Sequence, residues 1–353
     1  MLLNVLKNKK LINPPKWLPD NTHYLTMMGS VAYGVSSDTS DIDVYGFCIP
    51  KKNMIFTHLA GEIPGFGRPI KRFDQWQEHH IKDKDSKKEY DFSIYNIVKY
   101  FQLTMENNPN MIDSLFTPDF CVLHISRIGV MVREQRKLFL HKGSWHKFKG
   151  YAYSNMHKAN FKSHKGLEEI LSFENDNNIP HKTSLTDIDN EIKNRCNNVN
   201  LISLSDEQLI KYKELYHEMN KHSSRAENIK FTSGTDRKFL YHIVRLISEV
   251  EQILIEGDLD LQRNREHMKA VRRGEVSHED VKKWFSEKEK SLEKLYAESK
   301  LRHSPDEEAI KQLLLNCLEE HYGSLQDAIV NPDRAVVALR QIQEIIENNK
   351  SLL

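Results

Sequence analysis

Apolar positions follow two different rhythms along the chain. In the first part the runs are short and bounded by turn residues, as strands are. Residues 23–28 form one such run, ending at Gly29-Ser30, and residues 42–49 form another between Asp41 and Pro50. Residues 75–82 and 89–95 flank a polar stretch, 83–88, and predict a hairpin. Ser93 is then placed to cap a helix with Ile94, Ile97, Val98, Phe101 and Met105 on one face, punctuated by Pro109. Residues 120–125 are a further strand candidate.

From about residue 126 the rhythm is helical. Ile128, Met131 and Val132 recur at helical spacing in a segment that ends at Gly143, and a second pattern covers 145–173. Residues 174–200 are polar and Asn-rich with no clean period, which predicts an insertion or loop. Ser205 and Gln208 form a capping-box signature for a helix to about Lys221. The strongest pattern runs from 237 to 256, where Phe239, Leu240, Ile243, Val244, Ile247, Val250 and Leu254 make a wide stripe closed by Gly257. Ser277 with Asp280 begins another helix, Ser304-Pro305 with Glu307 a further one, and residues 334–348 a last one. The prediction is an α+β chain, with an α/β portion over 1–125, a mostly helical portion over 126–353, and an insertion at about 174–230.

Composition narrows the picture. At 353 residues the chain exceeds a usual single core, so two domains are expected. Lys and Arg number 51 against 50 Asp and Glu, a formal charge of +1. That balance argues against a polybasic binder whose main energy is phosphate neutralisation, although a local basic surface fits inside it. No apolar run is long enough to span a membrane. The stretch Leu2-Leu3-Val5-Leu6 is too short for a signal core and is followed by lysines. Cys48, Cys121, Cys196 and Cys317 are widely scattered, as reduced thiols of a cytoplasmic protein are.

One segment carries candidate chemistry: Met28-Gly29-Ser30 followed by Asp41-Ile42-Asp43. On a strand, Asp41 and Asp43 project to one face about 7 Å apart. Neighbouring carboxylates repel unless a cation lies between them, and hard oxygen ligands suit Mg²⁺ or Mn²⁺. Two such ions can clamp the attacking and leaving oxygens of a phosphoryl or nucleotidyl transfer. Asp91, between Tyr90 and Phe92 on the later strand, is the candidate third carboxylate, with Glu89 on the same face. Gly29 permits close backbone approach to a phosphate and Ser30 adds a hydroxyl. His58, His79 and His80 lack metal-ligand spacing and read as solvated or hydrogen-bonded.

Gly29-Ser30, ten intervening residues, Asp41-x-Asp43 and the later triplet Tyr90-Asp91-Phe92 together resemble the DNA polymerase β-like nucleotidyltransferase superfamily. Within it, the resemblance is closest to a branch of predicted nucleotidyltransferases of bacteria and phages. Further segments similar to that branch are Asn107-Asn108-Pro109-Asn110, Leu115-Phe116-Thr117-Pro118, Gly150-Tyr151-Ala152 with Ser154 and Lys158, Lys238-Phe239 through Arg245, and Arg272-Arg273-Gly274-Glu275.

The resemblance implies a polymerase β-like catalytic domain and a helical domain closing the nucleotide cleft. Asp41, Asp43 and Asp91 would be catalytic and would bind two Mg²⁺ (or Mn²⁺) ions. Gly29 and Ser30 would hold the phosphates of an NTP. Ser154 and Lys158, four apart on one helix face, and His242 and Arg245, three apart on the strongest helix, would add nucleotide contacts. A nucleoside monophosphate would pass to an acceptor hydroxyl on an RNA 3′ end, a protein or a small molecule, releasing pyrophosphate. The competing expectations are a non-catalytic nucleotide- or nucleic-acid-binding module, and a toxin-type enzyme acting on tRNA or protein. The Asn- and Lys-rich style fits an AT-rich genome such as a phage's, which implies the host cytoplasm.

Overall fold

A computed structural model describes residues 1–36, 40–63, 65–67, 72–159, 166–195, 204–222, 230 and 237–325, with isolated positions from 339 to 346. The side chains of 158, 159, 194, 195, 221 and 222 fall outside that description, as do Cys196 and most of the helix expected at 334–348. The chain divides into two compact units. Unit 1 comprises Met1–Lys147, Gln252–Arg263 and Glu298–Leu353, and unit 2 comprises Phe148–Glu251 and Asn264–Ala297. The boundary expected at 125 therefore lies inside unit 1, because the helix Arg127–Glu134 packs against the sheet instead of leaving it.

Unit 1 is built on five strands: β1 (Thr22–Met27), β2 (Ile42–Cys48), β3 (Gln75–Asp83), β4 (Lys88–Asn96) and β5 (Val122–Ile125). Their order is β3-β4-β2-β1-β5. The β2–β4 pair is parallel and the other neighbours are antiparallel, a mixed sheet. Alternation divides the side chains between two faces. Ile42, Val44, Tyr90, Phe92 and Ile94 pack with Leu3 and Leu6 of the helix Leu2–Asn8 on one face. Tyr24 and Phe47 lie on the other, where Tyr100 from the helix Ile97–Met105 meets the Phe47 ring at 5.0 Å. The helix Pro109–Phe116 is tied to the same face by Tyr24 Oη, which donates to the Ser114 carbonyl at 2.8 Å.

Three helix starts differ from expectation. The strand β4 runs on to Asn96, and Asn96, not Ser93, caps the next helix by accepting from Val98 N at 3.1 Å. Ser93 is instead buried in the sheet. Pro109 opens a helix as its first residue, behind an Asn108 cap that accepts from Asn110 N. Likewise Asp306, beyond Pro305, caps the helix Glu307–Tyr322.

Unit 2 contains a core of its own. Residues 174–200, expected as a loop, include the end of the helix Leu167–Asp176 and the helix Leu185–Arg195. Ile179 and Ile188 join Leu167, Ile170, Leu209, Tyr212, Tyr216 and Met219 in one buried cluster. The period was hidden because this helix buries few apolar positions among many polar ones. Glu174 is buried and is answered by Lys230, by the Tyr212 hydroxyl and by His181 Nδ1 at 2.9 Å. The Ser205–Gln208 capping box forms as expected: Ser205 N donates to Gln208 Oε1 at 2.8 Å, and Gln208 N donates to Ser205 Oγ at 3.2 Å. The helix Arg237–Glu256 matches its predicted span, with Gly257 in the left-handed region at φ +60°.

His23 of β1 links the sheet to two helices of unit 1. Its Nδ1 lies 2.9 Å from Ser126 Oγ and its Nε2 lies 3.0 Å from His321 Nδ1. Burial, with the neighbouring His321 and His124 adding to it, pushes its pKa down to about 4. The unfolded chain therefore binds this proton more readily, and stability falls as pH drops from about 6.5 towards 4. We expect up to roughly 3 kcal/mol of that loss to vanish in His23→Gln, read from urea midpoints across the interval. An unchanged pH dependence in the variant would exclude His23 as its source.

Candidate active site

The parallel register places Asp43 of β2 directly beside Asp91 of β4. Adjacent strands lie about 4.8 Å apart and paired positions share a face, so the two carboxylates project together. Their flanking residues, Ile42 and Val44 beside Tyr90 and Phe92, are buried on the opposite face and lock this phase. Asp41 is exposed and immediately precedes β2. It is two residues from Asp43, at the end of the same row.

Gly29 opens the short helix Gly29–Ala32 that follows β1. Met28 N donates to the Asp43 carbonyl at 2.7 Å, which lays this turn across the start of β2. Gly29 has φ +62°, and a Cβ there would sit 2.2 Å from Asp43 Oδ2. The glycine is thus required twice, by its dihedral and by its closeness to the carboxylate. Ser30 is half-buried beside it, and the turn is anchored by Tyr33, whose hydroxyl donates to Asp113 Oδ2 at 2.8 Å.

Asp91 has a further set of neighbours that the sequence reading did not assign. The register of β3 on β4 shifts between Glu78 and Ile81, leaving His79 and His80 as a bulge opposite Asp91. His80, at φ +58°, donates its backbone N–H to Asp91 Oδ1 at 2.7 Å. His79 Nδ1 lies 3.7 Å from the same oxygen, and His80 Nδ1 lies 2.9 Å from Glu89 Oε1. The sequence signal for this bulge was a slipped phase. Trp76 and Ile81 both pack towards the core, yet they stand an odd number of residues apart.

The remaining expected nucleotide contacts lie on helices of unit 2. Ser154 is exposed on the helix Ser144–Ala159, where Lys158 also lies. Tyr151 and Tyr153 on that helix are exposed, and Tyr153 Oη donates to Glu289 Oε1 at 2.8 Å. His242 is half-buried on the helix Arg237–Glu256. Arg245 on the same helix is buried, with its Nε 3.9 Å from Glu249. Arg273 pairs with Glu275, and the Arg272 guanidinium lies over the Tyr241 ring at 5.3 Å.

The donor chemistry of Asp41, Asp43 and Asp91 suits a hard divalent cation. Among the described residues, however, no group of three His, Cys, Asp or Glu side chains is arranged to hold a metal ion. Asp91 is turned towards the β3 bulge, which accounts for part of that difference from expectation. Among the described residues, no helix is long and apolar enough to cross a membrane.

Residues 7–170 match the family described as "RNA repair pathway DNA polymerase beta family". No curated protein and no solved structure matches the chain. The matched span contains the whole sheet, the Gly29-Ser30 turn and all three carboxylates. That match supports, for this portion of the chain, the likeness to the polymerase β-like nucleotidyltransferase superfamily.

Proposed function

We propose that the protein transfers a nucleoside monophosphate from an NTP to an acceptor hydroxyl. The observation that carries this reading is the Asp43–Asp91 pairing across parallel strands, with Gly29 against the Asp43 carboxylate. Asp41, Asp43 and Asp91 would hold Mg²⁺ or Mn²⁺ as two ions, which supply charge neutralisation at the phosphates. Gly29 and Ser30 seat the β- and γ-phosphates against the turn after β1. Asp91 orients the acceptor hydroxyl and takes its proton as the oxygen attacks the α-phosphorus. The bond to the bridging oxygen breaks and pyrophosphate leaves. Catalysis of this kind is mostly positioning and charge stabilisation, so few side chains suffice. Nucleotide contacts from Ser154, Lys158, His242 and Arg245 belong to the same proposal and rest on the family resemblance.

The test is incubation with each α-labelled NTP, Mg²⁺ or Mn²⁺, and separate pools of RNA and protein. The expected result is label in one pool, dependent on the divalent ion. Calorimetric binding of NTP with no label in any pool would instead favour a non-catalytic nucleotide-binding module.

A further inference from the structure

A cavity of about 770 Å³ opens in unit 1 at the β3 edge of the sheet, lined by Arg72, Phe73, Asp74, Gln75, Gln77 and Lys99 among others. Its place follows from the register. Gln77 pairs with Ser93 and Gln75 with Tyr95, and Ser93 is two residues beyond Asp91 on β4. Gln77 Nε2 donates to Ser93 Oγ at 3.1 Å. Asp91, Ser93 and Tyr95 share a face, so the row of glutamines continues the line of the carboxylate, beginning about 7 Å along the strand.

The lining has a consistent chemistry. Arg72 and Lys99 bring two positive charges against the single carboxylate of Asp74. Arg72 has no ion-pair partner among the described residues, and Lys99 Nζ donates to the neutral Gln102 Oε1 at 3.3 Å. Gln75 and Gln77 are exposed and each offers both a donor and an acceptor, the combination that reads base edges and sugar hydroxyls. The volume falls in the range of pockets that hold nucleotide-sized ligands. Met54 and Phe73 add an apolar wall to this polar lining.

We propose that this cavity binds the sugar–phosphate backbone of a single-stranded polynucleotide acceptor, leading its terminal hydroxyl to Asp91. The inference rests on the nucleotidyl-transfer reading for the direction of the strand, but its binding half stands on the cavity alone. It also locates the local basic surface that a net charge of +1 conceals.

The test is fluorescence anisotropy of the full chain with a short labelled single-stranded RNA, across a salt series and without NTP. Arg72→Glu with Lys99→Glu is expected to weaken binding on the order of tenfold or more. The slope of log affinity against log salt becomes shallower by about 1.4, at roughly 0.7 per lost phosphate contact on a single strand. Asp74→Asn, which adds no bulk, is expected to tighten binding, so the sign test survives even if the charge reversals fail to fold. Unchanged affinity and slope in both variants would overturn the proposal, as would label transfer to protein that RNA does not inhibit. Charge-dependent RNA binding by a wild type that transfers no label supports the cavity and sinks the nucleotidyl-transfer reading alone.

Discussion

Asp43→Asn is expected to abolish transfer of label from α-labelled NTP, with a loss on the order of a thousandfold or more, and to leave the fold intact. The substitution keeps the shape of the side chain and removes one negative charge from the row formed with Asp91 and Asp41. Without that charge the proposed site would have too little potential to hold a divalent ion beside a triphosphate. Stability moves the other way. Like charges directly opposite on adjacent strands destabilise a sheet, and the change relieves that repulsion. The urea midpoint is therefore expected to stay level or rise while activity disappears. A merely structural aspartate would lose both together. Normal transfer by the variant would remove Asp43 from the site, and with it the mechanism proposed here.

Gly29→Ala is expected to have the second largest effect, and it would arise from one methyl group. At φ +62° the alanine adopts a left-handed conformation that costs about 1–2 kcal/mol. Its Cβ would also fall 2.2 Å from Asp43 Oδ2, so the carboxylate must turn away. A misplacement of about 1 Å at a reacting group can lower rate on the order of a hundredfold. The expected result is a modest drop in the thermal or urea midpoint with a disproportionate loss of transfer. Ser30→Ala, beside it, should be far milder for stability because Ser30 has no such clash to create. Activity of Gly29→Ala within a few-fold of wild type would show that the turn does not constrain Asp43 in the working enzyme.

The sequence disclosed the elements whose local pattern and tertiary role agree. β1, β2 and the β3–β4 hairpin lay where alternation and turn residues put them. The helix Arg237–Glu256 was legible because its apolar stripe is wide, and the Ser205–Gln208 cap because both partners sit in a fixed local spacing. The pairing of Asp43 with Asp91 was not legible. Nothing local specifies which strands become parallel neighbours, and the sequence supplied only a shared face within each strand. Ser93 misled because a hydroxyl ahead of an apolar run fits a cap and a buried strand position equally well. The helix Leu185–Arg195 hid for the opposite reason: a partner surface, not its own composition, makes it a helix. The bulge at His79-His80 needed the three-dimensional phase of Trp76 and Ile81 to be seen.

That bulge has a second consequence. β3 is an outer strand of the sheet, with a row of backbone donors and acceptors facing away from β4. Such a margin invites a strand from another molecule to add to it, and long straight margins lead to aggregation. The extra residue bends β3 in its middle and breaks the even ladder that an incoming strand would need. Glu78, Lys82 and the two histidines place charge and bulk along the same margin. One inserted residue therefore both reaches the Asp91 carboxylate and interrupts the margin that a neighbouring copy would pair with. A variant chain that straightened it would loosen the grip on Asp91 and, in the same step, expose the sheet to its own kind.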